Sequence, residues 1–364
     1  MVELCISNKD IVNALEHCIK EKQYYIGLFL GKLMPDNSAK YNELMSAIYL
    51  QTENNISPST ETQVSVQNNS QLLRVQLLCN WCSSEQLAHC WNKMSQCNYT
   101  WNKIKLVWKE PVDYYVIINM PPKDAIFDKK KTIVFRMEPN MYKNLNLWGE
   151  WANPNDTEFI KVCHHEKGEY NNTEWHLSKS YSELLNMNNI TKQHNILSTV
   201  LSGKYKDVGQ VKRIDFIKFL EKKMTVHVYG ENRWNYKEYK GSLPLHCKDD
   251  AIFPYKYTFN VENNNIKNYY TEKLVDGILG ECLVFYSGCP NIKDFIDERA
   301  YVYLELANFQ KDYEKIKKAI EEDWHTQRLP YIKNAKRKIL QELQFFPRLE
   351  KILAQTTTLK SKFV

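Results

Sequence analysis

Between residues 255 and 273 the chain reads YKYTFNVENNNIKNYYTEK, and no other stretch restricts the fold as tightly. Tyr255, Tyr257, Phe259 and Val261 alternate with Lys256, Thr258 and Asn260, the period-two pattern of a half-buried strand. The pattern stops at Glu262. A polar turn over 263–268 follows, and then Leu274, Ile278 and Leu279 recur at helical spacing, so Thr271 or a neighbour is placed to cap a helix. A strand that ends in charge and turns into a helix belongs to an open α/β sheet. There, ligands bind beyond the carboxyl ends of the strands, and a helix N-terminus offers free N–H groups to a phosphate. Lys273 adds a full positive charge at that point. Glu262 and Glu272 repel phosphate and suit sugar hydroxyls instead, so the unit reads either as a nucleotide-sugar site or as an ordinary charged helix start.

The rest of the chain agrees with such a sheet. Capping-box and apolar-periodic segments over 7–19, 24–33 and 41–50 predict a helical appendage over 1–50. Residues 51–71 then lose nearly all large apolar groups, the composition of a flexible linker. From 72 onward strands alternate with helices: strands over 73–79, 104–108, 114–119 and 132–137, with a helix over 84–96. A second α/β series begins near 191, with strands over 196–201, 225–229, 255–261 and 281–286 and a helix over 211–221. Amphipathic segments over 313–325 and 332–343 follow, and residues 331–364 are expected to pack back across both units. The expected domains are therefore 72–190 and 191–330.

With 364 residues, 25% charged and 13% aromatic, the chain has ample material for two cores. A net charge of +6 favours anionic ligands weakly, and no dense basic block argues for nucleic acid. No signal-like opening or span-length apolar run is present, so a soluble, cytoplasmic protein is expected. Ten cysteines scattered over a chain of this size suit reduced thiols. Cys79-x-x-Cys82, with His89, Cys90 and Cys97 nearby, has zinc-like spacing, but Cys79 closes an apolar strand and Cys90 shares a helical face with Leu87, Trp91 and Met94. These cysteines read as small hydrophobes. His164, His165 and Glu166 adjoin in sequence, which on a strand points them to opposite faces, so they read as structural or acceptor-side groups.

Two further charges fall at strand ends. The strand over 132–137 runs into Glu138, Pro139 and Asn140, placing a carboxylate beyond its carboxyl end as a candidate general base, with a surface turn as the plain alternative. Arg213 sits in the first turn of the expected helix over 211–221, beside Ser202 and Gly203. From there a guanidinium can fork onto diphosphate oxygens or simply face solvent.

In this order the motifs resemble the α-1,3-fucosyltransferase family, family ten of the glycosyltransferases, in its soluble microbial or large-virus form. Phe259 to Asn263 stands for the family's F-x-F-E-N, Tyr269 to Lys273 for Y-[IV]-T-E-K, and Leu283 to Gly288 with Pro290 for its V-P-V-x-x-G turn. Leu201 to Gly203 stands for S-N, and Tyr239, Lys240, Gly241 and Lys248 precede the core motif as in relatives. The chain departs at Gly203, at Leu283 to Phe285, and at Glu138 to Asn140, where the acidic motif matches in part. The resemblance implies a GT-B architecture, two Rossmann-like domains facing across a cleft, and inverting transfer of fucose from GDP-fucose to a glycan or glycoconjugate. Arg213 and Lys273 match diphosphate positions; Asn263, Tyr269 and Glu272 match positions around the ribose and sugar; Glu138 matches the catalytic carboxylate. Ser202, Tyr255, Lys256, Glu262 and Thr271 complete the expected donor-binding set. The chain contains no Asp-x-Asp triplet, so no metal or other cofactor is expected. Another nucleotide sugar on the same fold, or a catalytically silent glycan-binding or scaffold protein, stays open at this point.

Overall fold

The computed structural model describes residues 72–361 except 169–171, 188–189 and 245, together with the isolated residues Glu16 and Leu44. The expected appendage over 1–50 and linker over 51–71 lie outside the described residues, those two isolated positions apart. Two six-stranded parallel sheets form the framework. The first runs in the order β2-β3-β1-β4-β5-β6, from β1 (Leu73–Leu78), β2 (Thr100–Trp101), β3 (Ile104–Val107), β4 (Tyr114–Ile118), β5 (Thr132–Arg136) and β6 (Lys161–His164). The second runs β12-β11-β10-β7-β8-β9, from β7 (His194–Leu201), β8 (Val226–Gly230), β9 (Tyr239–Gly241), β10 (Tyr255–Val261), β11 (Leu283–Ser287) and β12 (Tyr301–Tyr303). Every pairing between these strands is parallel except the short β2–β3 ribbon.

Parallel sheets are covered on both faces, which explains why their central strands are apolar runs and not strict alternations. All five residues of β5 and all five of β11 are buried. Each large aliphatic or aromatic side chain so enclosed contributes about 1.5–3 kcal/mol. Because the strands are parallel, the carboxyl ends of each sheet form one rim, and the turns that carry the unusual charges collect there. Two such lobes, rim toward rim, make the GT-B architecture expected from the sequence.

Helices cover the faces. In the first lobe α1 (Ser84–Asn92) starts with a reciprocal capping box between Ser83 and Gln86. In the second, α2 (Val208–Leu220) starts three residues earlier than the sequence suggested, with a box between Asp207 and Gln210. Arg213 is therefore in the second turn, not the first. Gly209, a loop signal in the sequence, serves close approach instead, since a Cβ there would lie 1.8 Å from the Glu262 carbonyl oxygen. The helix after β10, α3 (Glu272–Leu279), is capped by Thr271 as expected.

Three helices close the chain: α4 (Phe309–Glu321), α5 (Trp324–Lys338) and, after a π-helical turn over Ile339–Leu343, α6 (Phe345–Ser361). The break between the first two falls at Asp323, in the left-handed region with φ 49°, whose carboxylate accepts from the Thr326 hydroxyl at 2.7 Å. Pro330 lies inside α5. The tail crosses to the first lobe. Phe345 meets the rings of Trp91 and Phe135 at centroid distances of 4.7 and 5.7 Å, and Gln344 donates to the Met94 carbonyl at 3.1 Å. Among the described residues no helix is long and apolar enough to cross a membrane.

One ion pair fastens this tail to the second sheet. Glu281, bent by a φ of 59° before β11, accepts from Lys336 of α5 at 2.8 Å, with both side chains 5% exposed. Removing Lys336 leaves the buried Glu281 with only the more exposed Lys333, 3.9 Å away. Lys336→Ala is expected to lower stability by about 3–5 kcal/mol, read as a shifted urea midpoint with an unchanged slope.

Candidate active site

Beyond the rim of the second sheet lies a cavity of about 430 Å³. Its walls are the ends of β7, β8 and β10, the first turns of α2 and α3, the segment from Ser242 to Lys248, and His176 from the connection between the lobes. Arg213 and Lys273, far apart in the chain, both line it, as do Ser202, Asn263 and Glu272.

Arg213 is 6% exposed, and its hydrogen-bond partners are all uncharged. It donates from Nη1 to the Asn263 side-chain oxygen at 2.9 Å and the Val261 carbonyl at 3.2 Å, and from Nη2 to the Ser202 hydroxyl at 3.1 Å. Its buried Nε has no partner. Burial pulls its pKa below the usual guanidinium value, the signature of a cation short of compensating charge. Lys273 is differently held. Its ammonium lies 3.1 Å from Glu272, 3.1 Å from the Thr271 hydroxyl and 3.7 Å from Glu262.

Glu272 is the hub of a second group. Lys248 lies 3.5 Å from it and 2.7 Å from Asp276. Burial opposes the Glu272 charge, yet Lys273 and Lys248 outweigh it and hold the carboxyl well below the usual range. It is thus an anion, an acceptor for hydroxyl groups. Four cations, Lys204, Arg213, Lys248 and Lys273, line the cavity against two carboxylates, Glu231 and Glu272, so the hollow favours an anionic guest.

Glu138 stands on the opposite lobe. The backbone amides of Met137 and Glu138 donate to the Asn119 side-chain oxygen at 2.6 and 3.1 Å, which turns the chain sharply at the end of β5. Asn119 adopts φ 60°, a conformation asparagine tolerates better than most residues, and was not singled out from the sequence. The Glu138 side chain is exposed to the gap yet walled by protein. That enclosure raises its carboxyl, with Lys273 pulling the other way and Glu272 reinforcing. The charges it senses, Lys273, Glu272, Lys204 and Asp207, all belong to the facing lobe.

Five expected donor contacts do not line the cavity. Tyr255 and Lys256 begin β10 while the cavity lies at its far end; Tyr255 hydrogen-bonds His227 and Tyr229, and Lys256 pairs with Asp323. Glu262 is 1% exposed, and its oxygens accept from the Thr271 amide at 2.8 Å and hydroxyl at 2.7 Å. Thr271 is spent as that partner and as the cap. Tyr269 is buried against His165 of the first lobe, ring centroids 5.6 Å apart, beside a bond from the Asn268 side-chain amide to the His165 carbonyl at 2.8 Å. His165 is therefore an inter-lobe contact.

Residues the sequence reading passed over complete the wall. His176 and His246 meet edge to face at 4.4 Å, and burial keeps both neutral, His246 down to about 4. Lys248 stood out in the sequence only as preceding the core motif. Burial weakens its charge, but Asp276 and Glu272 more than restore it and raise its pKa. No spacing rule connects 176, 246 and 248 to 272. Among the described residues no group of three or more His, Cys, Asp or Glu is gathered as for a metal ion.

Glu174, 3.9 Å from His176, is pushed up to about 7, first by burial and then by Glu272. A carboxyl raised on folding binds its proton more tightly in the native state, so it costs stability as pH climbs from the ordinary 4.5 through about 7. Glu174→Gln is expected to match the parent near pH 4 and exceed it by about 1–3 kcal/mol at pH 8, measured by urea unfolding at both values.

Comparison with known proteins agrees with the motif order. Residues 191–325 match the family model described as glycosyltransferase family 10 (fucosyltransferase), C-terminal part. Similar solved structures include an α1,3-fucosyltransferase with GDP, at 16% identity over 78% of this chain and 95% of that one, TM-score 0.43. The same enzyme type with GDP-fucose gives 15% identity, 79% and 95% coverage, and TM-score 0.40. WaaG, a glycosyltransferase involved in lipopolysaccharide biosynthesis, gives 10%, 77%, 98% and 0.43. A sequence search among curated proteins finds no match.

Proposed function

We propose that this chain, a glycosyltransferase whose residues 191–325 form a family 10 domain, transfers fucose from GDP-fucose to a hydroxyl of a glycan acceptor, with inversion at the anomeric carbon. The carrying observation is that Arg213 and Lys273 share one cavity while Glu138 faces it from the other lobe.

Inverting transfer is one displacement. The acceptor oxygen forms its bond to the anomeric carbon as the bond to the diphosphate oxygen breaks, so a base must take the hydroxyl proton while negative charge grows on the leaving group. Glu138 is assigned the first task. Its raised basicity favours proton capture, and its place on the first lobe leaves the sugar between it and the cations. Arg213 is assigned the second, because its charge is matched only by neutral acceptors and is free to meet a diphosphate. Lys273 adds to it at the N-terminus of α3. Ser202 and Asn263 orient the guanidinium, and ionised Glu272 receives hydroxyls of the ribose or sugar.

Purified protein given GDP-fucose and a panel of glycan acceptors should release GDP and form a product of inverted configuration. Glu138→Gln is expected to lower kcat by about 10²–10⁴ with GDP affinity unchanged. If that variant transfers at the parent rate, the base lies elsewhere. The parent rate should rise with pH through an acid limb above the ordinary carboxylate range, a limb absent from Glu138→Gln. Arg213→Ala and Lys273→Ala should instead weaken GDP binding. Since cations of the chain neutralise the leaving group in this scheme, excess chelator should leave the rate within about twofold; loss of activity that a divalent metal restores would overturn that part. Turnover of a different nucleotide sugar in place of GDP-fucose would replace the donor assignment.

A further inference from the structure

The end of β1 carries two thiols that sugar transfer leaves unused. Cys79 follows the last residue of β1, and Cys82 precedes Ser83, the cap of α1. The tight strand-to-helix turn brings their Sγ atoms to 3.4 Å, and Cys79 Sγ also lies 3.5 Å from the Cys82 carbonyl oxygen. Cys79 is 1% exposed, Cys82 is half-buried, and Trp81 between them is 52% exposed, so an outside reagent meets Cys82 first. Sharing of the Cys82 proton holds the Cys79 thiol down at about 7 and pushes Cys82 up. Among the described residues no third ligand joins them as for a metal. The other buried thiols, Cys163, Cys247, Cys282 and Cys289, belong to separate places in the two lobes.

We propose that Cys79 and Cys82 form a redox-active dithiol, oxidised reversibly to an intramolecular disulfide by a low-molecular-weight disulfide. Once the pair has lost one proton, the two sulfurs, 3.4 Å apart, share the other. Passing it to Cys79 frees the Cys82 thiolate, which attacks the small disulfide; a mixed disulfide forms on Cys82 and one small thiolate leaves. Cys79 then gives up the proton to that thiolate, and its own thiolate attacks the Cys82 sulfur. The 79–82 bond forms and the second small thiolate departs. The protein loses two electrons, and the reagent gains them as one thiol and one thiolate, the latter taking its proton from water. The site belongs to the rim that carries the proposed base: β1, β4 and β5 are successive parallel neighbours, which sets Cys79 roughly 10 Å from the end of β5, with Asn119 between.

The test uses the full chain equilibrated with mixtures of reduced and oxidised glutathione, quenched in acid, alkylated and mapped by peptide mass. The expected result is a peptide about 2 Da lighter, linked 79 to 82, formed in glutathione-dependent proportion and fully reversed by dithiothreitol. Cys79→Ser should trap one glutathione on Cys82, at least about tenfold above the load on Cys163, Cys282 or Cys289. Both residues recovered as alkylated thiols under fully oxidised glutathione would overturn the proposal, as would a link from either residue to Cys90 or Cys97. The parent-chain mapping decides the matter even if the variant fails to fold.

Discussion

A buried carboxylate at the end of β10 sets the geometry on which the rest of the site depends. Glu262 is almost fully enclosed, and its two oxygens clasp the amide and hydroxyl of Thr271, with the Tyr286 hydroxyl 3.4 Å away. Burial raises the carboxyl, and the nearby Lys273 pulls it back toward the charged form. An enclosed charge of this kind is tolerated only with its hydrogen bonds made, so the clasp permits little displacement of α3 from the strand end. The next two residues after Thr271 are Glu272 and Lys273. Their aim into the cavity follows from that anchoring.

The neighbouring turn is fixed by backbone and not by charge. Gly209 lies against the Glu262 carbonyl, and its amide donates to the Asn263 carbonyl at 3.1 Å. One turn further along α2, Arg213 reaches the Val261 carbonyl and the Asn263 side chain. The ends of two strands and the starts of two helices are thereby tied into one frame around a cation whose hydrogen-bond partners are uncharged. Lys273 and Lys248 share Glu272 by direct contact, whereas Arg213 feels Glu262 and Glu272 only from a distance and hydrogen-bonds uncharged groups. Such inequality leaves one rim with both a net positive hollow and an ionised carboxylate.

Across the gap the constraint is weaker in bonds and stronger in placement. Asn119 takes two amides at the end of β5 and turns Glu138 outward, while the lobes are joined by the Asn268–His165 bond, the Tyr269–His165 ring contact and the helical tail. Phe345 and Phe346 pack into the first lobe, and Lys336 locks the same tail to the second. A facing pair of rims needs this brace. Otherwise the distance between Glu138 and the cations of the facing rim would drift.

Local pattern made most of the fold legible. Alternation along β10, the continuous apolar runs of β5 and β11, and the cap at Thr271 are each set by residues within one element, and hydrophobic period reports them directly. The start of α2 was less so, because Gly209 signals a turn in isolation and a close approach in context. Arg213, Asn263, Glu272 and Lys273 were legible because each lies beside a strand end. The places of Tyr255, Lys256 and Glu262 were not: which end of a parallel strand meets the cavity, and whether a carboxylate faces water or a neighbouring turn, depends on residues far away in the chain. His176, His246 and Lys248 come from separate segments with no shared spacing, so only packing brings them together. The order of polar and apolar groups along the chain determined two parallel sheets and the charges at their rims. The facing of those rims, the burial that tunes each charge and the division of carboxylates into structural and site groups were decided by tertiary contacts, because desolvation and charge pairing are properties of three-dimensional neighbours.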